Sequence, residues 1–146
     1  MQVEPLLILL VEDDPAHAEI ARRNLELSQI PTRIRHVEDG QEALDYLFRQ
    51  GPYADPASSP RPCIILLDLR LPKVGGLEVL RRIKQDSELA IIPVVVLTTS
   101  AAPPDIRGAY ANQASSYLVK PVDFEQFRRL LETFGCYWLG FNRYPS

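Results

Sequence analysis

Four apolar runs in this 146-residue chain end directly in residues able to do chemistry. LLILLV (6–11) leads into Glu12, Asp13 and Asp14, and CIILL (63–67) leads into Asp68. VVVL (94–97) leads into Thr98 and Thr99, and SYLV (116–119) into Lys120 and Pro121. Each has a plain structural explanation when taken alone. A strand-end aspartate caps a turn, an acidic triplet is a solvated turn, and a lysine before proline is a surface residue. As a set they offer phosphoryl-transfer chemistry. Asp68 is a carboxylate able to attack phosphorus and form an acyl phosphate. Glu12, Asp13 and Asp68 repel one another if they meet, and an oxygen-bound divalent cation that keeps some water, Mg²⁺, relieves that conflict. Lys120 is a point charge for a carboxylate or for phosphate oxygens. Thr98 supplies a hydroxyl donor, and charges so placed stabilise an in-line transfer.

These residues meet only if the apolar runs lie side by side. Apolar runs alternate here with amphipathic stretches. The runs at 6–11, 63–67, 94–98 and 116–119 read as strands, and TRIRHV (32–37) alternates as an edge strand does. Helices are expected over about 15–28, where Asp14 caps and Pro15 fits the first turn, over 40–50 and from Gly76 or Leu77 onward. A short helix is expected over about 104–112, and the last begins at Asp123, with Gln126 completing a capping-box-like pair. Continuous apolar strands imply a parallel sheet covered on both faces. The expected fold is therefore α/β, five βα units with right-handed crossovers, and ligands gather at the carboxyl ends of such strands. The segment GPYADPASSPRP (51–62), with four prolines in twelve residues, reads as an irregular loop.

Composition narrows the class. The hydrophobic fraction is 46%, the charged fraction 24% and the net charge −3, which fits one globular domain and opposes broad DNA binding. Cys63 and Cys136 show neither disulfide nor zinc spacing, which fits a reducing, cytoplasmic setting. The N-terminal apolar run is too short for a signal peptide or a membrane span. No G-x-G-x-x-G follows the first strand, which disfavours a dinucleotide-binding protein.

LLVEDDP, IILLDLRLPKVGG, VVLTTSA and YLVKPVD occur in the order and at the intervals of a receiver domain of two-component response regulators, which the chain resembles over about 5–134. The resemblance implies a flavodoxin-like sheet of order 2-1-3-4-5 and a phosphoacceptor at Asp68. It implies Mg²⁺ bound by Asp13, Asp68 and the backbone carbonyl of Arg70, with Glu12 acting through water. It implies Thr98 and Lys120 as phosphoryl contacts, and Thr98 with Tyr117 as the switch pair. The implied protein accepts phosphate from a sensor histidine kinase and catalyses its own phosphorylation and dephosphorylation. It is not an enzyme acting on a separate substrate. Glu12 stands where aspartate is commoner, and Gly75 where Asp-Gly is frequent. Two other readings stay open: an adaptor that works without phosphorylation, and an aspartate-nucleophile phosphatase. The latter needs an Asp-x-Asp loop and a cap that this chain lacks. His17 and His36 read as a surface helix residue and a strand residue.

Phe124, Phe127, Leu131, Phe134, Trp138 and Phe141 recur at intervals of three and four, a stripe that runs beyond the core into the tail CYWLGFNRYPS (136–146). The tail either folds back on its own core or forms an interface. The preferred reading is a homodimer contact by the last helix and tail through Phe134, Tyr137, Trp138, Leu139 and Phe141. The proline-rich insertion and this tail resemble single-domain, phytochrome-associated response regulators of bacteria, implying a phytochrome as the kinase.

Overall fold

The computed structural model describes residues 4–145. Strands β1 (Leu6–Val11), β2 (Thr32–Val37), β3 (Ile64–Leu67), β4 (Val94–Thr98) and β5 (Ser116–Val119) form one sheet of order β2-β1-β3-β4-β5. Every neighbouring pair is parallel. Helices α1 (Pro15–Glu26), α2 (Gly40–Phe48), α3 (Gly76–Gln85), α4 (Pro103–Ala111) and α5 (Phe124–Gly135) join or follow the strands. This is the expected flavodoxin-like arrangement. Among the described residues no helix is long and apolar enough to cross a membrane.

The strand pleat sends alternate residues to opposite faces. Leu9, Val11, Ile65, Leu67, Val94 and Val96 pack with Leu44, Leu47, Leu80 and Ile83 of α2 and α3. Ile8, Leu10, Ile64, Leu66, Val95 and Leu97 pack with Leu25 of α1 and Phe127, Leu131 and Phe134 of α5. Two covered faces explain why β1, β3 and β4 are apolar at consecutive positions. Each such side chain contributes about 1.5–3 kcal/mol on burial. Asp14, Asp39 and Asp123 cap α1, α2 and α5 by accepting backbone N–H groups.

The proline-rich segment is more ordered than its composition suggests. It makes two single 3₁₀ turns, Gly51–Tyr53 and Pro56–Ser58. The core side holds it down: Tyr46 Oη donates to the Pro60 carbonyl at 2.6 Å and Arg35 to that of Ser58 at 2.9 Å, with Ser59 wholly buried.

Two glycines frame the loop between β3 and α3. A Cβ on Gly76 would sit 2.3 Å from the Asp68 carbonyl oxygen, and one on Gly40 would sit 1.8 Å from that of Val74. Both approaches are backbone against backbone, so no side-chain rotation relieves them. Gly75, by contrast, faces open space. Gly76→Ala is therefore expected to lower unfolding free energy by about 1–3 kcal/mol in urea titration, whereas Gly75→Ala changes it by less than about 0.5 kcal/mol.

Candidate functional site

The register of the sheet assembles the chemistry. Val11 pairs with Leu67, so Glu12 and Asp68 leave adjacent strands at the same level. Asp68 N donates to the Val11 carbonyl at 3.1 Å, and Lys120 N to that of Thr98 at 2.7 Å. Glu12, Asp68, Thr98 and Lys120 are all buried, with relative exposures of 3%, 6%, 0% and 4%. Asp13 is exposed and stands at the mouth of this cluster. One carboxylate oxygen from each of Glu12, Asp13 and Asp68 lies within 4.8 Å of the others.

Lys120 Nζ donates to Glu12 Oε1 and, at 3.0 Å, to Asp68 Oδ2. The second oxygen of each carboxylate is also used. Glu12 Oε2 accepts the Asp14 amide and Asp68 Oδ1 the Arg70 amide, both at 3.1 Å. Thr98 Oγ1 is enclosed and has no hydrogen-bond partner among the described residues. A buried hydroxyl left unpaired costs about 1–3 kcal/mol, and an arriving oxygen acceptor would remove that penalty.

The two buried carboxylates respond differently to one cation. Burial pushes the Glu12 carboxyl up to about 7, against the pull of Lys120. Burial also acts upward on Asp68, but the Lys120 charge and the Arg70 amide outweigh it and hold Asp68 below the usual carboxylate range. Thr98 adds a smaller pull, without a hydrogen bond of normal geometry. Asp68 is thus kept anionic, as a nucleophile must be. A hard, all-oxygen set with an exposed Asp13 edge fits a small divalent cation that keeps water.

Sequence reasoning missed two features around this centre. His17 is half-buried, not a surface residue: its Nδ1 lies 3.0 Å from Lys120 Nζ. Its spacing from Asp13 carries no motif, so only the α1–α5 packing reveals it. His36 does sit in β2, with Nε2 2.7 Å from the Glu12 carbonyl. The second feature is a polar chain beyond the site. Arg70 pairs with Asp105 at 3.0 Å, Ser100 Oγ donates to Asp105 at 2.5 Å, and Tyr117 Oη donates to the Ser100 carbonyl at 2.9 Å. It ties the loop after Asp68 to α4 and β5.

The tail departs from the expected stripe. Past Gly135 the helix widens to a π turn, Cys136–Phe141, closed by Asn142 N to the Tyr137 carbonyl. An i→i+5 turn advances less per residue, so the three-four spacing slips. Leu139, not Trp138, enters the core beside Leu25, and Phe134 is buried too, each 4% exposed. Both are spent mostly on this chain's own core, so they offer the expected interface little free surface. Tyr137 and Phe141 stay exposed, and Trp138 is half-buried against Phe134, with ring centroids 6.4 Å apart. Tyr144 Oη folds back to donate to the Trp138 carbonyl.

The raised Glu12 carboxyl fixes a pH dependence. The folded protein holds a proton that the unfolded chain releases between its ordinary value of 4.5 and about 7. Stability therefore falls as pH rises through that window. In chelator-containing buffer Glu12→Gln should match wild type below pH 4.5. Above about pH 7 it should exceed wild type by on the order of 1–3 kcal/mol in urea titration.

Comparison with known proteins agrees with this geometry. The family model described as the response regulator receiver domain matches residues 8–132. The probable methanogenesis regulatory protein FilR2 of Methanothrix harundinacea is 48% identical over 98% of this chain and 90% of its own length. Response regulator Rcp1 of Synechocystis sp. is 40% identical over 97% of this chain and 95% of its own. The crystal structure of the Mn²⁺-bound form of Rcp1 superposes with a TM-score of 0.92, at 39% identity, over 97% of this chain and 100% of that one. The phosphorylated cyanobacterial phytochrome response regulator RcpA superposes with a TM-score of 0.93, at 38% identity, over 98% and 100%. With its acidic cluster, its sheet order and matches spanning nearly its whole length, the chain belongs to the response regulator receiver-domain family.

Proposed function

We propose that this chain acts as a single receiver domain in the cytoplasm, taking a phosphoryl group on Asp68 from the phosphohistidine of a sensor kinase. The observation that carries this is the buried Lys120–Asp68 pair beside the unpartnered Thr98 hydroxyl. An Asp68 carboxylate oxygen forms a bond to phosphorus as the donor's N–P bond breaks. The departing imidazole keeps the bonding electron pair and later gains a proton. Lys120 follows the negative charge onto the phosphoryl oxygens, and Thr98 finds in one of them the acceptor it lacks. Mg²⁺ held by Asp13, Asp68 and the Arg70 carbonyl, with Glu12 acting through water, would neutralise charge on the same oxygens. The same groups, with water as nucleophile, serve hydrolysis of the acyl phosphate.

Thr98 and Tyr117 form the proposed switch. A move of Thr98 toward the phosphoryl group vacates space beside β4, and Tyr117 must release the Ser100 carbonyl to fill it. Output is then a change of the α4–β5–α5 face read by another protein, with no DNA contact. The likeness to RcpA supports a phytochrome as the kinase.

Incubation with acetyl phosphate and Mg²⁺ should add the mass of one phosphoryl group to the intact protein and none to Asp68→Asn. A phosphorylated phytochrome kinase should label wild type in the same assay. No gain in wild type, or an unchanged gain in Asp68→Asn, overturns Asp68 as the phosphoacceptor, and no gain in either protein favours the phosphorylation-independent adaptor.

The exposed rings of Tyr137 and Phe141, beside half-buried Trp138, support a two-fold homodimer through this end. Because Leu139 belongs to the core, removing the tail would unfold more than an interface. The cleaner variant is Tyr137→Ser with Phe141→Ser. Light scattering should give a dimer for wild type and a monomer for the double variant; a monomeric wild type sinks the interface.

A further inference from the structure

Lys120 carries three ammonium protons, and three acceptors face them. Two are Glu12 Oε1 and Asp68 Oδ2, both engaged in the proposed metal and phosphoryl chemistry. The third is Nδ1 of His17, 3.0 Å away, from the first turn of α1. The His17 ring is held in place from α5, where Phe127 meets it edge-on at 5.6 Å between centroids and 85° between planes. Its backbone is held as well. Asp14 Oδ1 accepts the amides of Ala16 and His17 at 2.9 and 3.3 Å, while Asp14 Oδ2 stays 3.6 Å from Nδ1, beyond hydrogen-bond reach.

We propose that His17 is a positioning residue for phosphoryl transfer, its unprotonated Nδ1 holding the Lys120 ammonium in place while both carboxylate partners change roles. The inference rests on the Asp68 and Lys120 assignment above. When Asp68 becomes an acyl phosphate, one of its oxygens is bonded to phosphorus in a mixed anhydride and the carboxylate charge is lost. When Glu12 turns to water around a cation, a second acceptor goes. Of the three acceptors around this flexible four-carbon stem, His17 Nδ1 is the one that neither change touches. Its neutrality matters: a third carboxylate there would weaken the attraction of Lys120 for phosphoryl oxygens. Accepting through Nδ1 places the ring proton on Nε2.

Two measurements test this. In the metal-free protein, imidazole nitrogen NMR should show neutral His17 as the Nε2–H tautomer; an Nδ1–H tautomer overturns the proposal, with no phosphorylation required. With acetyl phosphate and Mg²⁺, His17→Leu should keep the packing on Phe127 and slow phosphorylation about tenfold, the effect of one lost hydrogen bond to a charged donor. His17→Asn, whose side-chain oxygen falls near the Nδ1 position, should restore most of that rate. Equal rates in His17→Leu and wild type, or equal losses in both variants, overturn it. If wild type takes up no phosphate, the functional reading falls and the tautomer alone decides the Lys120 contact.

Discussion

One buried ammonium, Lys120, faces two buried carboxylates, Glu12 and Asp68, at the carboxyl edge of the sheet. Removing Lys120, the only cation between them, would leave buried carboxylate charge uncompensated, at about 3–5 kcal/mol. The three residues come from three different strand ends, β1, β3 and β5. Their meeting therefore requires the sheet order and the registers on both sides of β3 to be right at once. A slip by one residue would turn Asp68 to the opposite face. The apolar runs make such a slip expensive, because both faces of β1, β3 and β4 are filled.

The imbalance of charge sets the two buried carboxylates apart. One cation cannot satisfy two anions equally, so Glu12 is pushed toward its neutral form while Asp68 stays ionised. Thr98, enclosed and unpartnered, leaves a second deficit beside it. A cation and a phosphoryl group would answer both deficits together. The chain Arg70–Asp105–Ser100–Tyr117 starts in the loop that carries Asp68 and ends on β5, linking that loop to α4 and β5.

The C-terminal end obeys a different constraint. Helix α5 has to cover the β1–β3–β4 face with Phe127, Leu131 and Phe134, and the π turn lets the chain add Leu139 to that work. Past Gly135 the rings left outside are those of Tyr137 and Phe141, while Phe124 is exposed at the start of the helix. Folding back and presenting a surface are thus compatible outcomes for one segment, with different residues committed to each.

Much of the fold is legible in the chain itself. Strand-length apolar runs separated by amphipathic segments specify a covered parallel sheet, and the caps Asp14 and Asp123 mark helix starts by local hydrogen bonding. Strand ends bearing Glu12, Asp13, Asp68, Thr98 and Lys120 point to the site because residue type and position after an apolar run are local properties. His17 is different: its contact with Lys120 spans 103 positions and depends on how α1 sits against the end of β5 and the Phe127 ring of α5. The π turn is equally invisible, since a three-four aromatic spacing suits an ordinary helix and only packing against Leu25 selects Leu139 over Trp138. Local chemistry and periodicity therefore determined the elements and the reacting groups. Tertiary packing decided the partners of those groups and which aromatic residues reach the surface, because both depend on the distances between elements that no local pattern encodes.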